Sequence, residues 1–520
     1  MTSSPITNGR KWATLVICCL AGLVLAIDMT ALHLAIPGLI KDLNPSSTQV
    51  LWIADSYGFA LAGLLVTMGN LGDRFGRKRL LLTGTVAFAV ASALTAGAST
   101  PEMLIAARAL LGIAGATIMP STLSLVRNVF TDPKERMAAV GISSGVVGAG
   151  IGLGPVISGA ILDHFWWGAV FLINVPIMAA VFVAGLVVLP ESRNPNPGRV
   201  DALSVPLSIL GVVGIVYAIK EAARGGVGQT QVLVAAVLGV AGLAVFLRRQ
   251  TRLAEPLIDV RLFRRAAFSG AIGTNLFAMF AMIAQSLIFA QYFQLVLGWS
   301  PLKSGLAGLP ASVVAMVGGV LAGKLVGVFG RARLVAIGLA LTGVGFLLYM
   351  LTGTTPDYPA LLAAMLPIGF GMGLALTVTA DTVLASVPKE RSGAASAISE
   401  TATELGGALG MAILGSVLNS SYRGGLDLPA GLSGGDVAEV RDSLGGALDS
   451  ASRMSAELAG QVVDAARHAF VGAMHVAAVS SAGLAAVAAL TALVALRRVP
   501  KVLTGDAVEG SAEPVAPARV

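Results

Sequence analysis

Long stretches without a charged residue dominate the chain, and short segments rich in Lys and Arg separate them. A helix needs about 20 apolar residues to cross a hydrocarbon core about 30 Å thick. Fourteen such runs follow one another between residues 13 and 496, opening with 13–37 and 50–70 and closing with 393–419 and 469–496. In lipid the backbone must satisfy its own hydrogen bonds, so runs of this length read as helices. The pattern predicts an all-α polytopic membrane protein with fourteen transmembrane spans. Arg10 and Lys11 before the first run resemble the start of a signal peptide. That run nevertheless lacks an Ala-x-Ala-like site and carries Asp28, so it is expected to remain as span 1.

Composition removes the alternatives. With 520 residues, 55% hydrophobic, 12% charged and a mean hydropathy of +0.82, the chain has too little polar surface to cover a soluble fold. The high isoelectric point does not point to nucleic acid, because the basic residues sit between apolar runs. Of the 35 Lys and Arg, 25 fall in the segments that share a side with both termini and 8 on the other side. The positive-inside rule therefore places both termini in the cytoplasm of a multi-pass protein of the plasma membrane or cell inner membrane. Cys18 and Cys19 are adjacent in span 1 and predict no disulfide framework.

The chain also repeats itself. Gly69-Asn-Leu-Gly-Asp73-Arg74-Phe-Gly76-Arg77 after span 2 recurs in weakened form as Gly323 to Arg331 after span 10, and Pro133-Lys-Glu-Arg136 recurs as Pro388-Lys-Glu-Arg391. Two matches at nearly one offset indicate a duplicated six-helix unit. The expected plan is a cytoplasmic N-terminus (1–12), a six-helix bundle (13–195), two inserted spans (196–250), and a second bundle (251–500) followed by a cytoplasmic tail (501–520). An extracytoplasmic loop, 420–467, interrupts the second bundle. Val437, Val440, Leu444 and Leu448 have helical spacing there, which fits either a short helical hairpin or a solvated spacer. Paired repeats around a central site are the usual build of a secondary transporter.

A charge inside such runs costs several kcal/mol unless it finds a partner or a cavity, so each one is a candidate for function. Asp28, Asp55 and Arg108 are expected at one depth, in the outer half of spans 1, 2 and 4. They read either as proton-coupling and binding groups or as a static ion pair, with Asp55 also able to reach water. His33 reads as a packing residue or a relay. Glu400 and Glu404 lie four apart on one face of span 13. Two carboxylates that close cannot both ionise cheaply in a low dielectric, which suits a proton acceptor or a trap for organic cations. Asp381 is expected to reach the interface and Lys324 to snorkel. Trp52, Tyr57, Phe277 and Tyr292 are available for cation-π contacts or for packing. Gly318 to Lys324 matches Gly-x-x-x-x-Gly-Lys, but Leu325 replaces the required Ser/Thr, so no P-loop and no ATP chemistry follow. No zinc, redox or hydrolase motif is present, so an enzyme is not expected.

These residues resemble the major facilitator superfamily and, within it, the fourteen-helix drug:proton antiporters. The resemblance rests on Gly69 to Arg79, on Arg108 followed by Gly112, on Gly148 to Gly154-Pro155, and on Asp28-Met-Thr30. It is closest to quaternary-ammonium multidrug exporters. It implies a carrier that needs no cofactor beyond the proton gradient and works as a monomer among membrane lipids on lipophilic cations: quaternary ammonium compounds, dyes and biguanides. It implies proton-coupling or cation-handling roles for Asp28, Asp55, Glu400 and Glu404, and gating or structural roles for Gly69, Asp73, Arg77, Gly154 and Pro155. Some relatives carry an acid where this chain has Ala315, which counts against divalent cargo. Export of an endogenous lipid or antibiotic, or proton-coupled nutrient uptake, would use the same scaffold.

Overall fold

The computed structural model describes residues 7–45, 47–194, 201, 203–225, 228–253, 256–388, 391–429, 432–497 and 499–500. The expected tail 501–520, the boundary at 196–200, Lys389 and Glu390 of the second repeat motif, and the side chain of His33 lie outside the described residues. All regular structure among the described residues is helical. The first half comprises α1 (Asn8–Leu43), α2 (Ser47–Phe75), α3 (Arg77–Ala96), α4 (Pro101–Val129), α5 (Pro133–Leu162), α6 (Ala169–Leu172) and α7 (Asn174–Val188). Two further helices follow, α8 (Ser204–Gly225) and α9 (Thr230–Gln250). A 3-10 turn (Val260–Arg264) leads into α10 (Ala266–Gln291), α11 (Pro301–Phe329), α12 (Arg331–Leu348) and α13 (Tyr358–Ala385). The second half ends with α14 (Ser392–Gly425), the short α15 (Gly434–Asp442) and α16 (Leu444–Ala451), and α17 (Ala456–Ala495).

Thirteen helices among the described residues are long and apolar enough to cross a membrane. The remaining expected span is α10, whose described apolar stretch, Ala266–Met282, is shorter. Several helices start on the same local device. Thr100, Asp132, Ser300 and Asp357 each accept a hydrogen bond from a backbone N–H in the first turn, and a proline follows within two positions. The α2–α3 and α11–α12 junctions turn on Gly76 and Gly330, at φ 110 and 78, where a Cβ would be strained.

Several helices overrun their expected spans, α1 and α2 at both ends. The chain's last helix begins at Ala456 rather than near 469, and α14 runs on to Gly425 rather than ending near 419. Helical propensity carried them past the apolar limits, since Ala456 to His468 contains no glycine or proline other than Gly460. At 1.5 Å per residue α17 is about 60 Å long, twice the hydrocarbon thickness, so it projects beyond the membrane. Between these projecting ends, α15 and α16 form a hairpin rather than a spacer. Val440, Leu444, Ala447 and Ala451 are buried, and the Tyr422 hydroxyl donates to the Val440 carbonyl.

Several apolar clusters hold the helices together, the two largest centred on the two halves and a third packing Tyr292, Phe346 and Phe470. Leu25, Leu61, Phe88, Leu111, Val140 and Met178 share one across α1–α7, while Phe268, Leu339, Leu374, Ile398 and Ala492 share another across α10–α17. Helices α8 and α9 meet through Gly211, Gly214 and Gly239, positions where a Cβ would strike the facing backbone. Val212 and Val216 of α8 pack on Phe59 of α2 and Ala408 of α14, so α8 touches both halves. Val183, Val187, Val237, Leu490 and Val494 are exposed, as a surface solvated by lipid requires.

Candidate functional site

Asp28 is buried to 1% exposure on α1, and its carboxylate is fully engaged. Arg108 Nη1 donates to its Oδ2 at 2.8 Å, and Asn174 Nδ2 donates to its Oδ1 at 2.9 Å and also lies 3.1 Å from Ser92 Oγ. The guanidinium lies over the rings of Tyr57 (4.8 Å) and Phe171 (5.8 Å). Removing an ion pair from water is expensive, and this one is compensated by a neutral donor and two π faces. Helix α4 reaches Tyr57 because Gly112 lies directly on the Tyr57 backbone, where a side chain would not fit. The structure shows Arg108 paired with Asp28, an arrangement that both readings of these residues share. Asn174 went unnoticed in the sequence, although it is a polar residue inside an apolar run and meets the same criterion as the charges.

Asp55 does not simply face water. Lys220 Nζ of α8 donates to its Oδ1 at 2.7 Å and sits 5.2 Å from the Phe59 ring centroid. In the sequence Lys220 is one of the eight basic residues counted to the outer side, and this contact was not foreseen. The signal available was its position directly after the apolar run Ile215-Val-Tyr-Ala-Ile219. Trp52, Phe59 and Tyr217 complete an aromatic wall, with Trp52 and Tyr217 stacked at 6.3 Å.

Glu400 and Glu404 are half-buried on α14 and follow one another by one turn. No hydrogen bond or ion pair reaches either carboxylate among the described residues, whereas their neighbour Thr403 receives one from Asn275 at 2.9 Å. Glu404 lies within electrostatic range of both Lys220 and Tyr57. Tyr57 therefore stands between the Asp28–Arg108 pair and the glutamates, and its buried hydroxyl has no hydrogen-bond partner among the described residues. The remaining aromatic candidates serve elsewhere. Phe277 packs against a core, and the Tyr292 hydroxyl donates to the Gly353 carbonyl.

The end of the molecule where the basic segments crowd is latched. Asp73 accepts from Arg77 (2.6 and 3.0 Å) and from the N–H groups of Gly393 (2.9 Å) and Ala394 (3.1 Å) at the start of α14. A carboxylate on a helix N-terminus is favourably placed. Gly69 contacts Gly393 and Ala397 so closely that no side chain would fit. Asp381, expected to reach the interface, is fully buried between Arg136 of the first half (2.6 Å) and Arg331 of the second (2.8 Å). Both arginines stand in the duplicated motifs, but only the fold brings them to one acid. Arg127 donates to the Val387 carbonyl, and Ser124 pairs with Ser392 at 2.7 Å. Hydrogen bonds and ion pairs between the halves gather at this end. Along α5, Gly154 packs on Thr30 of α1, next to Pro155 inside the helix, while Gly141 meets Gly319 of α11. Lys324 is exposed near the end of α11.

The acids thus divide into a buried ion pair, an acid held by Lys220, and two glutamates with no hydrogen bond or ion pair among the described residues. A family model described as Major Facilitator Superfamily matches residues 18–411. The chain belongs to the major facilitator superfamily. It is 44% identical over 496 residues to the multidrug efflux pump LfrA of Mycolicibacterium smegmatis, covering 95% of this chain and 98% of that one. It is 36% identical to the methyl viologen resistance protein SmvA of Salmonella typhimurium (91% and 96% covered). It is 33% identical to the tetracenomycin C resistance and export protein of Streptomyces glaucescens (94% and 92% covered). Among solved structures, the human organic anion transporter MFSD10 superposes with a TM-score of 0.58 at 14% identity, covering 93% of this chain and 99% of that one. That likeness speaks to the fold alone. The chain is a multi-pass membrane transporter rather than an enzyme.

Proposed function

We propose that this transporter exports lipophilic organic cations in exchange for protons, by alternating access and without ATP. The observation that carries the reading is the contrast, on either side of Tyr57, between Asp28, whose charge is matched, and Glu400 and Glu404, which have no hydrogen-bond or ion-pair partner among the described residues. Two carboxylates one turn apart in a low dielectric require a positive charge between them. A cargo cation, a proton or the Lys220 ammonium can each supply it.

The cargo site is assigned to Glu400, Glu404 and Asp55, with Trp52, Phe59 and Tyr217 as the apolar and π surface that a flat dye or a quaternary ammonium group needs. Lys220 acts as a resident cation. It keeps Asp55 neutralised when the carrier is empty and must yield when cargo enters. Asp28 is the proton site, since protonation would break its bond to Arg108 and release the guanidinium that lies over Tyr57. Tyr57 couples the two sites because it faces both. The latched end is taken as cytoplasmic on the positive-inside distribution, so this conformation is closed inward and exchanges with the outside. Protons entering there displace cargo; the empty protonated carrier then returns inward and loses its proton. With Ala315 in place of an additional acid, monovalent cations are the favoured cargo. The names of LfrA, SmvA and the tetracenomycin exporter support outward drug transport.

The test is ethidium movement in proteoliposomes under an imposed pH gradient. Wild type is expected to extrude dye only when the gradient is present, and Asp28→Asn to lose the gradient-driven component. A wild-type protein that is folded but moves no dye under either gradient would move the assignment to another cargo.

A further inference from the structure

Away from the acid-lined site, at the latched end, the structure holds a pocket of about 480 Å³ whose walls include Gln250, Asp259, Arg261, Arg264 and Arg391. It is a built feature. Gln250 is buried at the end of α9; its Oε1 accepts from the N–H groups of Leu257 (2.7 Å) and Ile258 (3.3 Å), and its Nε2 donates to Ser204 Oγ (2.7 Å). These bonds clamp the linker into α10 onto the inserted helices. Asp259 then accepts from the N–H of Arg261 (3.0 Å) and from Arg391 Nη1 (3.3 Å). Three arginines and one aspartate thus line the pocket. The guanidinium groups of Arg261 and Arg264 are exposed and make no hydrogen bond or ion pair among the described residues.

The surroundings specify the ligand further. Phe263, on the same turn as the two arginines, is 40% exposed, and α9 presents Val237, Val240 and Val245 outward toward the bilayer. The pocket lies where α9 ends and α10 begins, at headgroup depth. We infer that it binds the phosphate ester of an anionic phospholipid, with the acyl chains lying along α9. Arginine suits phosphate because its fork of donors meets two oxygens at once. A headgroup held by Arg261, Arg264 and Arg391 ties the linker to the start of α14, two residues before the N–H groups that hold Asp73. Bound lipid therefore favours the latched conformation. This inference does not depend on the cargo or on proton coupling.

The test uses the purified full-length chain in a neutral detergent, titrated with dioleoyl-phosphatidylglycerol, dioleoyl-phosphatidylcholine or inorganic phosphate, with thermal unfolding as readout. Phosphatidylglycerol is expected to raise the unfolding temperature, and phosphatidylcholine and phosphate are not. The Arg261→Gln, Arg264→Gln protein should need roughly thirtyfold more phosphatidylglycerol for the same shift, at about fivefold per arginine near an anionic headgroup. The control Arg248→Gln, Arg252→Gln removes equal charge from the same segment outside the pocket and should shift the titration by less than about threefold. Equal weakening in both variants would reduce the effect to diffuse surface charge and overturn the site. Phosphate acting as well as phosphatidylglycerol would overturn the lipid. If the double variant does not fold, Arg264→Gln alone decides, with an expected change of about fivefold.

Discussion

Asp28 and Glu404 are both acids within the membrane span of a helix, yet their surroundings are opposite. Asp28 has a guanidinium, an amide and two aromatic rings arranged around it. Glu404 has neither a hydrogen bond nor an ion pair among the described residues, and Lys220, the cation within its electrostatic range, is bonded to Asp55. A matched charge of this kind stabilises one conformation and stores the option of breaking it. An unmatched charge costs stability and persists where something outside the protein completes it. The comparison separates a switch from a binding site without reference to any bound molecule.

Breaking the matched pair should have the largest effect. Asp28→Asn leaves Arg108 buried without a counter-charge, at a cost of about 3–5 kcal/mol. Chemical denaturation in detergent should show that loss, and a variant as stable as wild type would mean that Arg108 re-pairs. Glu404→Gln is expected to do the reverse. Removing an uncompensated charge should leave stability unchanged or slightly higher, while ethidium efflux falls at least about tenfold. A strongly destabilised Glu404→Gln protein would show that the glutamate holds the fold together after all.

Lys220 sharpens the comparison, because it can be exchanged for a neutral side chain without touching an acid. If it competes with cargo, Lys220→Gln should bind ethidium about tenfold more tightly by fluorescence titration, the gain expected when a competing internal cation is removed. Weaker or unchanged binding would make Lys220 a static clamp between α8 and α2.

How much of this was visible in the sequence depends on the range of the interaction. The spans, the acids and the duplicated loops were legible because hydrophobic length and stray charges are local properties. Partners were not. Asp381 looked interfacial because its arginines are 245 and 50 residues away along the chain. Lys220 looked like an outer-side residue because α8 continues past the apolar limit. Helix ends beyond the membrane were misjudged for the same reason: hydropathy marks where lipid stops, and helical propensity decides where the helix does. The loop 420–467 was ambiguous by pattern and is settled by burial of Val440 and Leu444 against neighbours that the sequence does not identify.

The smallest expected effect lies in that hairpin. Asp436 is held below the usual carboxylate range by hydrogen bonds from Ser433 and Ser450. A lowered folded value means that the carboxylate's contribution is complete above its ordinary value of 3.8 and is lost as pH falls through the lowered one. Limited proteolysis of 429–455 should therefore be slow and constant at neutral pH and should accelerate only in strong acid. Ser433→Ala should move that acceleration to higher pH, and an unchanged profile would remove Asp436 from the account.

The most direct test of the division between switch and binding site is equilibrium ethidium binding to purified wild type, Asp28→Asn and Glu404→Gln at neutral pH. The account predicts that Asp28→Asn keeps its affinity within about threefold while losing gradient-driven transport, and that Glu404→Gln loses at least about tenfold. Equal losses in both variants, or a loss confined to Asp28→Asn, would contradict it and place the cargo at the matched acid instead.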